Sequence, residues 1–157
     1  MLLVNELKKG DILFSHIFTY DNIIPGYWTH QGIIIGFDEN NIAKVIESTT
    51  SGVRIVDLNF FLTRGSVGIG RLDLNDSQIQ TVIDWAKSKL DYEFDWQWLT
   101  KNDDNKYYCS ELIWLAYKQI GIDLDSNPGF NWKYIYSVSP QEIYDSNNIK
   151  IIGLLKN

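Results

Sequence analysis

One stretch decides the fold: HQGIIIGFDENNIAKVIE, which runs from His30 to Glu47. Its first part is apolar as far as Phe37, four polar residues follow, and a second apolar run returns to Glu47. Two extended runs around a short polar turn are typical of an antiparallel β-hairpin. We therefore predict that residues 30–47 form the centre of a β-sheet.

The register of this hairpin decides which side chains share a face. With the turn centred on Glu39 and Asn40, His30 lies opposite Thr49. Glu47 is then the diagonal neighbour of His30 on the same face, with about 7–8 Å between the two backbone positions across the strands. A turn centred one residue later moves Glu47 one pair further from His30. In the first register the Glu47 carboxylate can reach the His30 imidazole. The alternative is that Glu47 is an exposed carboxylate at the end of its strand.

The remaining first half of the chain is predicted to be mostly β. Short apolar runs predict strands at residues 12–14, 53–56 and 67–72, with a short helix or turn at 60–62. The segment from Gly65 to Gly70 is rich in glycine but lacks the spacing and the lysine of a phosphate-binding loop. We interpret it as a tightly packed strand.

The second half changes to helical spacing. Residues 79–90 predict a surface helix capped by Asn75 or Asp76, and a second helix begins at or beside Cys109 and stops at Gly121. Residues 139–142 form a capping box with proline at the first helical position, before a last strand at 149–154. These elements predict the α+β class and a single domain over residues 1–157.

The connector at residues 91–108 is polar and aromatic, and it is too long to be a simple link. Long connections of this kind are often functional. We expect it to cover a site.

Composition excludes several classes of function. The net charge of −6 argues against nucleic acid as a partner, because such proteins neutralise phosphates with cations. The chain has no basic leader followed by an apolar stretch and no transmembrane run, so we expect a cytoplasmic protein. One cysteine and two histidines do not form a closed zinc site, so we assign no metal and no cofactor.

Cys109 is the first candidate for catalysis because a thiol at a helix N-terminus ionises more readily than a free one. The backbone N–H groups of that first turn also suit a developing oxyanion. A cysteine nucleophile needs a base, and His30 is placed at the start of a strand, whereas His16 is interpreted as a surface residue. The alternatives are a buried structural cysteine and a structural histidine.

Five segments resemble one family when taken in order: GDIL from Gly10, WTHQGI from Trp28, VIE from Val45, GVR from Gly52 and YCSELI from Tyr108. They resemble the permuted papain-like amidases of the YaeF/YiiX type, the circularly permuted branch of the NlpC-like cysteine peptidases. The resemblance covers the chain from about Gly10 to the end of the Cys109 helix.

The resemblance implies a papain-like fold in which an antiparallel sheet or partial barrel packs against helices and the nucleophile begins a helix. It implies that Cys109 is the nucleophile, His30 the general base and Glu47 the acid that orients the base. Trp28 and Tyr108 are interpreted as substrate-binding residues, although Trp28-Thr29 departs from the tyrosine-serine pair that is usual before the histidine. Glu111 matches a family position to which we give no role.

The function we expect is hydrolysis of an amide bond through an acyl-enzyme, with peptidoglycan-type peptides as the substrate class that the resemblance suggests. The sequence also allows two alternatives. The first is a lipid-directed acyl hydrolase or acyltransferase related to lecithin-retinol acyltransferase, which a long apolar pocket would favour. The second is a non-catalytic module that binds a ligand on the same fold. The partner is thus a small peptide or acyl substrate.

Overall fold

The computed structural model describes residues 4–130, 132–133 and 135–155. Its centre is an antiparallel six-stranded sheet with the strand order β4-β3-β2-β1-β5-β6. The strands are β1 (Ile12–Ser15), β2 (His30–Phe37), β3 (Ala43–Thr49), β4 (Gly52–Asp57), β5 (Val67–Arg71) and β6 (Lys150–Leu155).

The described residues also form four α-helices and two short 3-10 helices. The α-helices are α1 (Leu58–Leu62), α2 (Asp76–Ser88), α3 (Cys109–Lys118) and α4 (Pro140–Tyr144), and the 3-10 helices are Val4–Glu6 and Phe18–Tyr20. The predicted α+β class is confirmed. Within the described part of the chain, no helix has the length and apolar character needed to cross a membrane.

The helix ends follow from local chemistry. Asn75 caps α2 by accepting a hydrogen bond from the Gln78 N–H, and Ser139 and Glu142 form the predicted capping box of α4. After α3, Gly121 has a φ of 77°, which is the left-handed conformation that ends many helices.

The predicted hairpin is present as β2 and β3, but its turn differs from both predicted positions. Phe37 pairs with Ala43, so the turn is centred on Asn40. The carboxylate of Asp38 accepts hydrogen bonds from the N–H groups of Asn40 and Ile42, and Asn41 adopts a φ of 60°. These local bonds stabilise an odd-numbered turn, which the pairing rule alone did not anticipate.

A β-bulge between Ile34 and Gly36 compensates for this turn. Beyond the bulge, Ile34 pairs with Val45 and Ile33 with Ile46, which is the pairing predicted for a turn centred on Glu39 and Asn40. The bulge therefore restores the predicted register at the end of the hairpin where His30 lies.

The sheet is covered on both faces. Ile33 and Ile46 pack in one buried cluster with Leu112 of α3, whereas Ile34 packs in a second cluster with Phe61 of α1. A strand that is buried on both faces needs no polar alternation, which explains the continuous apolar run of β2.

The connector at residues 91–108 is tied to the edge of the sheet. Val53 donates a backbone hydrogen bond to Tyr92 and accepts one from Asp91, and Tyr107 donates to Glu93. Gly52 permits this approach, because its φ is +90° and a Cβ there would lie 2.6 Å from the Tyr92 carbonyl oxygen. The connector thus follows α2, passes along the edge strand β4 and ends at the start of α3.

Candidate active site

Cys109 is the first residue of α3, and 7% of it is exposed. Tyr108 precedes the helix in an extended conformation, and the Glu111 carboxylate accepts a hydrogen bond from the Tyr108 N–H at 3.3 Å. The N–H groups of the first helical turn have no partners within the helix, so they can stabilise negative charge beside the sulfur.

The start of α3 is attached to the sheet and to the segment before α4. Ser48 of β3 donates a hydrogen bond to the carbonyl oxygen of Tyr107, one residue before the helix cap. Ser110 donates to the carbonyl oxygen of Val138 at 2.7 Å. The Ser110 hydroxyl thus binds the segment before α4, and the Glu111 carboxylate is the group that accepts from the N–H at the helix start.

His30 is the first residue of β2 and is almost completely buried. Its Nε2 atom lies 2.7 Å from Oε2 of Glu47, which leaves Nδ1 as the ring nitrogen for the Cys109 thiol. Burial alone would lower the pKa of His30, but hydrogen bonding to Cys109 and Glu47 raises it above its usual value. The imidazole is therefore stabilised in its protonated form, as a partner of a thiolate requires.

Glu47 is fully buried, so the alternative of an exposed carboxylate at the strand end is wrong. Its carboxylate binds His30 and also two arginines, Arg54 and Arg64. Burial raises the pKa of Glu47, but hydrogen bonds from Arg64 and His30 more than offset this effect and hold it well below the usual range. Glu47 is thus a buried anion that faces the base.

Sequence reasoning did not identify either arginine as part of the site. Arg54 had a usable signal, because the two-residue turn between β3 and β4 places it directly opposite Glu47. Arg64 follows α1 and is not itself part of a strand, so no strand register relates it to Glu47. No local pattern in the sequence connects Arg64 with Glu47.

A cavity of about 350 Å³ opens beside Cys109 and His30. Its walls come mainly from the loop after β1, the turn between β3 and β4, the connector and the segment before α4. Apolar side chains dominate these walls, including Ile17, Ile24, Phe94, Trp96, Trp98, Leu99 and Val138. The connector therefore lines the site, as its length suggested.

The charged groups among the described lining residues are all basic: Arg54, Arg64 and Lys133, in addition to His30. The cavity thus differs in sign from the whole chain, whose net charge is −6. A mostly apolar cleft with a few polar groups at one end is the usual form of a small-molecule site.

The two predicted substrate-binding residues lie in different places. Tyr108 lines the cavity, and its hydroxyl donates to the Thr100 carbonyl oxygen and accepts from the Val138 N–H. Trp28 is not among the lining residues, because its ring is buried against Phe14 and Gly68. Gly68 makes room for that ring, in agreement with the predicted tight packing of β5.

Two other candidates from the sequence also have defined positions. His16 contacts Asp21 at 2.6 Å and is not paired with Cys109. Glu111 is fully buried and accepts hydrogen bonds from the N–H groups of Asn102 and Tyr108. These two hydrogen bonds attach the connector to the helix start. Burial raises the pKa of Glu111 to about 8.

The family model of the permuted papain-like amidases YaeF/YiiX, the C92 family, matches residues 6–153. The chain belongs to this family. In agreement with the permutation, His30 and Glu47 precede Cys109 in the chain. The family is one of papain-like amidases, so the expected cysteine-type amidase is confirmed at the family level.

Among solved structures, the chain is similar to the crystal structure of a protein described as the metalloprotein YiiX from Escherichia coli O157:H7. The TM-score is 0.75 at 20% identity, over 96% of this chain and 98% of that chain. This likeness confirms the papain-like fold. In the described residues of this chain, no group of three or more His, Cys, Asp or Glu side chains is placed to hold a metal ion. A comparison with curated proteins gives no match.

Proposed function

We propose that the protein is a cysteine hydrolase that cleaves an amide bond through an acyl-enzyme at Cys109. The observation that carries this proposal is the alignment at the base of the cavity, where Glu47 binds Nε2 of His30 at 2.7 Å and the other ring nitrogen is left for the only cysteine of the chain. A nucleophile, a base and a group that orients the base are the three parts that such chemistry requires.

The proposed reaction begins when His30 holds the proton of the Cys109 thiol as an imidazolium. The sulfur attacks the carbonyl carbon, and the N–H groups of the first turn of α3 stabilise the oxyanion. The C–N bond then breaks as His30 gives its proton to the leaving amine, which produces a thioester. Water attacks the thioester carbonyl while His30 accepts a proton from it. The C–S bond then breaks, which releases the carboxylic acid and restores the Cys109 thiolate beside the His30 imidazolium.

The first substrate candidate is a peptide amide of the peptidoglycan type, for which the amidase family is the support. The second candidate is a substrate with a long acyl chain, because aromatic and aliphatic side chains form most of the cavity wall. The same acyl-enzyme chemistry applies to both, and only the pocket that holds the acyl group differs.

Alkylation of Cys109 by iodoacetamide tests the chemistry without a known substrate. Because the chain has a single cysteine, the mass shift reports on this residue alone. We expect the native protein to react at about pH 6–7, where an ordinary thiol reacts slowly, and His30→Ala to lose this reactivity. His16→Ala removes the other histidine, and we expect it to react like the native protein.

An unreactive thiol up to about pH 8.5 that is unchanged by His30→Ala would favour the non-catalytic binding module instead. Substrate profiling then separates the two substrate classes. Peptide amides, muropeptides and phospholipids are incubated with native and Cys109→Ala protein, and mass spectrometry detects the acyl group on Cys109. Turnover that persists in Cys109→Ala would refute the proposed nucleophile.

A further inference from the structure

The carboxylate of Glu47 receives five hydrogen bonds from three side chains. Its two oxygens are not equivalent. Oε1 accepts from Nε and Nη2 of Arg54 at 3.1 and 3.0 Å and from Nη2 of Arg64 at 2.7 Å. Oε2 accepts from Nη1 of Arg64 and is the oxygen that contacts His30.

Arg64 is therefore the arginine that binds both oxygens, and it alone of the two shares the oxygen that His30 uses. A bidentate guanidinium fixes the plane of a carboxylate, because two parallel N–H groups leave it little freedom to rotate. Arg54 binds Oε1 only and has a half-exposed side chain, with 37% exposure against 15% for Arg64. Arg54 thus restrains the direction of Oε2 less than Arg64 does.

The turn at the end of α1, which carries Arg64, also supports the imidazole of His30 from one side. Phe61 of α1 is fully buried, and its ring stacks on that of His30 with 5.6 Å between centroids and 27° between planes. The Arg64 guanidinium lies over the Phe61 ring at 5.1 Å. The backbone N–H of Arg64 donates to the Phe61 carbonyl oxygen, so both residues belong to one turn. This turn contacts both the base and its carboxylate partner.

We infer that Arg64 is a positioning residue for catalysis: it fixes the Glu47 carboxylate so that Oε2 orients His30 toward Cys109. This inference deepens the proposed function and rests on it. Arg64 does not act on the substrate, and its effect passes through Glu47 to the ring of His30. The role differs from general stabilisation, because it depends on which carboxylate oxygen is held.

The charged groups around this unit define the expected pH dependence. Three groups face the Glu47 carboxylate: His30 of β2, Arg54 of β4 and Arg64 of the turn after α1. The His30 ring also faces Cys109, the first residue of α3. Without Arg64, the carboxylate loses a cation and is protonated more readily on acidification. The acidic limb of the kcat/KM profile should therefore move to higher pH in Arg64→Gln.

The experiment compares Arg64→Gln with Arg71→Gln, using hydrolysis of p-nitrophenyl acetate as the assay. Arg71 is a matched control because it also binds a buried carboxylate through two nitrogens, that of Asp11 at 2.6 and 2.7 Å. For Arg64→Gln we expect kcat to fall about 10- to 100-fold with little change in KM, which is part of the about 10²- to 10⁴-fold that a positioned base contributes. Arg71→Gln should retain the native kcat and pH profile.

Two further measurements separate positioning from loss of folding. Arg64→Lys keeps the charge without the bidentate geometry, and we expect its kcat to lie between those of the native protein and Arg64→Gln. It replaces Arg64→Gln in the comparison if that variant does not fold. In proton NMR, the hydrogen-bonded Nε2–H signal of His30 should persist in Arg71→Gln and weaken in Arg64→Gln, with His16→Gln used to assign it.

The outcomes distinguish this inference from the proposed function. If Cys109→Ala hydrolyses the ester as fast as the native protein, the proposed function fails. If Cys109→Ala is inactive but the Arg64 variants match Arg71→Gln in kcat, pH profile and NMR signal, the inference alone is overturned.

Discussion

Replacing Glu47 by glutamine removes one charge from the centre of the site and changes its shape very little. The native carboxylate accepts five hydrogen bonds, three on Oε1 and two on Oε2. A glutamine side chain offers a single acceptor oxygen, so at least two of these donors would face its NH₂ group. Two arginines and the imidazole would then surround a neutral amide.

The expected loss of stability follows from the burial of this carboxylate. Removing one partner of a buried ion pair typically costs about 3–5 kcal/mol, and 1 kcal/mol lowers the Tm of a domain of this length by roughly 2–4 °C. We therefore expect Glu47→Gln to lower the Tm by roughly 6–20 °C at pH 7. Because the pKa of Glu47 is depressed in the folded protein, this stabilisation is present above the unfolded pKa of about 4.3. The Tm difference should shrink as the pH falls below about 4.

The expected loss of activity has a different cause. Without the carboxylate, His30 loses the group that orients its ring and stabilises the imidazolium, and kcat should fall about 10²- to 10⁴-fold. Steady-state hydrolysis and the rate of Cys109 alkylation measure this effect, and calorimetry of the same samples measures the Tm.

Asp11→Asn is the matched control for this experiment. Asp11 is also fully buried and binds Arg71 through both oxygens. Asp11 directly precedes Ile12, the first residue of β1, whereas His30 pairs with Ser15 at the other end of this strand. We expect Asp11→Asn to lose stability but keep its kcat. If Glu47→Gln also keeps the native kcat and alkylation rate, Glu47 does not orient the base and this reasoning is refuted.

Three further predictions concern the surroundings of the site. Burial raises the pKa of Glu111 to about 8 in the folded protein, so the native protein loses stability as the pH rises from about 4.3 to 8. Between pH 5 and pH 8.5, the free energy of unfolding of Glu111→Gln, measured with denaturant, should therefore rise by a few kcal/mol relative to that of the native protein. A difference that is the same at both pH values would contradict this. Gly52→Ala should cost about 1–3 kcal/mol or more by denaturant unfolding, because its Cβ would meet the Tyr92 carbonyl oxygen, whereas Gly121→Ala, with open space around it, should cost less. Trp96→Ala removes an exposed ring from the cavity wall, so it should raise KM for a substrate with an apolar acyl group while kcat changes little. A fall in kcat as large as the rise in KM would instead show that this ring takes part in the reaction.

The hairpin shows how far local sequence rules reach. Alternation and pairing predicted that His30 and Glu47 share a face, and the structure has them in contact. The same rules did not predict the turn, because an Asp38 side chain bonded to nearby N–H groups decided its centre. The bulge between Ile34 and Gly36 then restored the register. The prediction held at the site because the buried faces of the strand allow few other pairings.

The cavity shows where those rules stop. Trp28 lies two residues before His30, yet its ring packs in the core, whereas Trp96 and Trp98 of the connector line the cleft. The connector has no periodicity from which a side-chain direction can be read. Its path depends on backbone bonds to a sheet edge that is distant in the sequence, such as those of Val53.

The sequence by itself determined most helices and strands of this protein and three groups of its candidate site, Cys109, His30 and Glu47. Periodicity, capping residues and turn residues act over a few neighbours, so the helix that starts at Cys109 and the hairpin that carries His30 and Glu47 were accessible to local reasoning. Tertiary structure decided the electrostatic environment of those groups. Arg64 reaches Glu47 from a separate turn, and burial then determines the charge state of the carboxylate, since both effects depend on distances that only the folded chain defines.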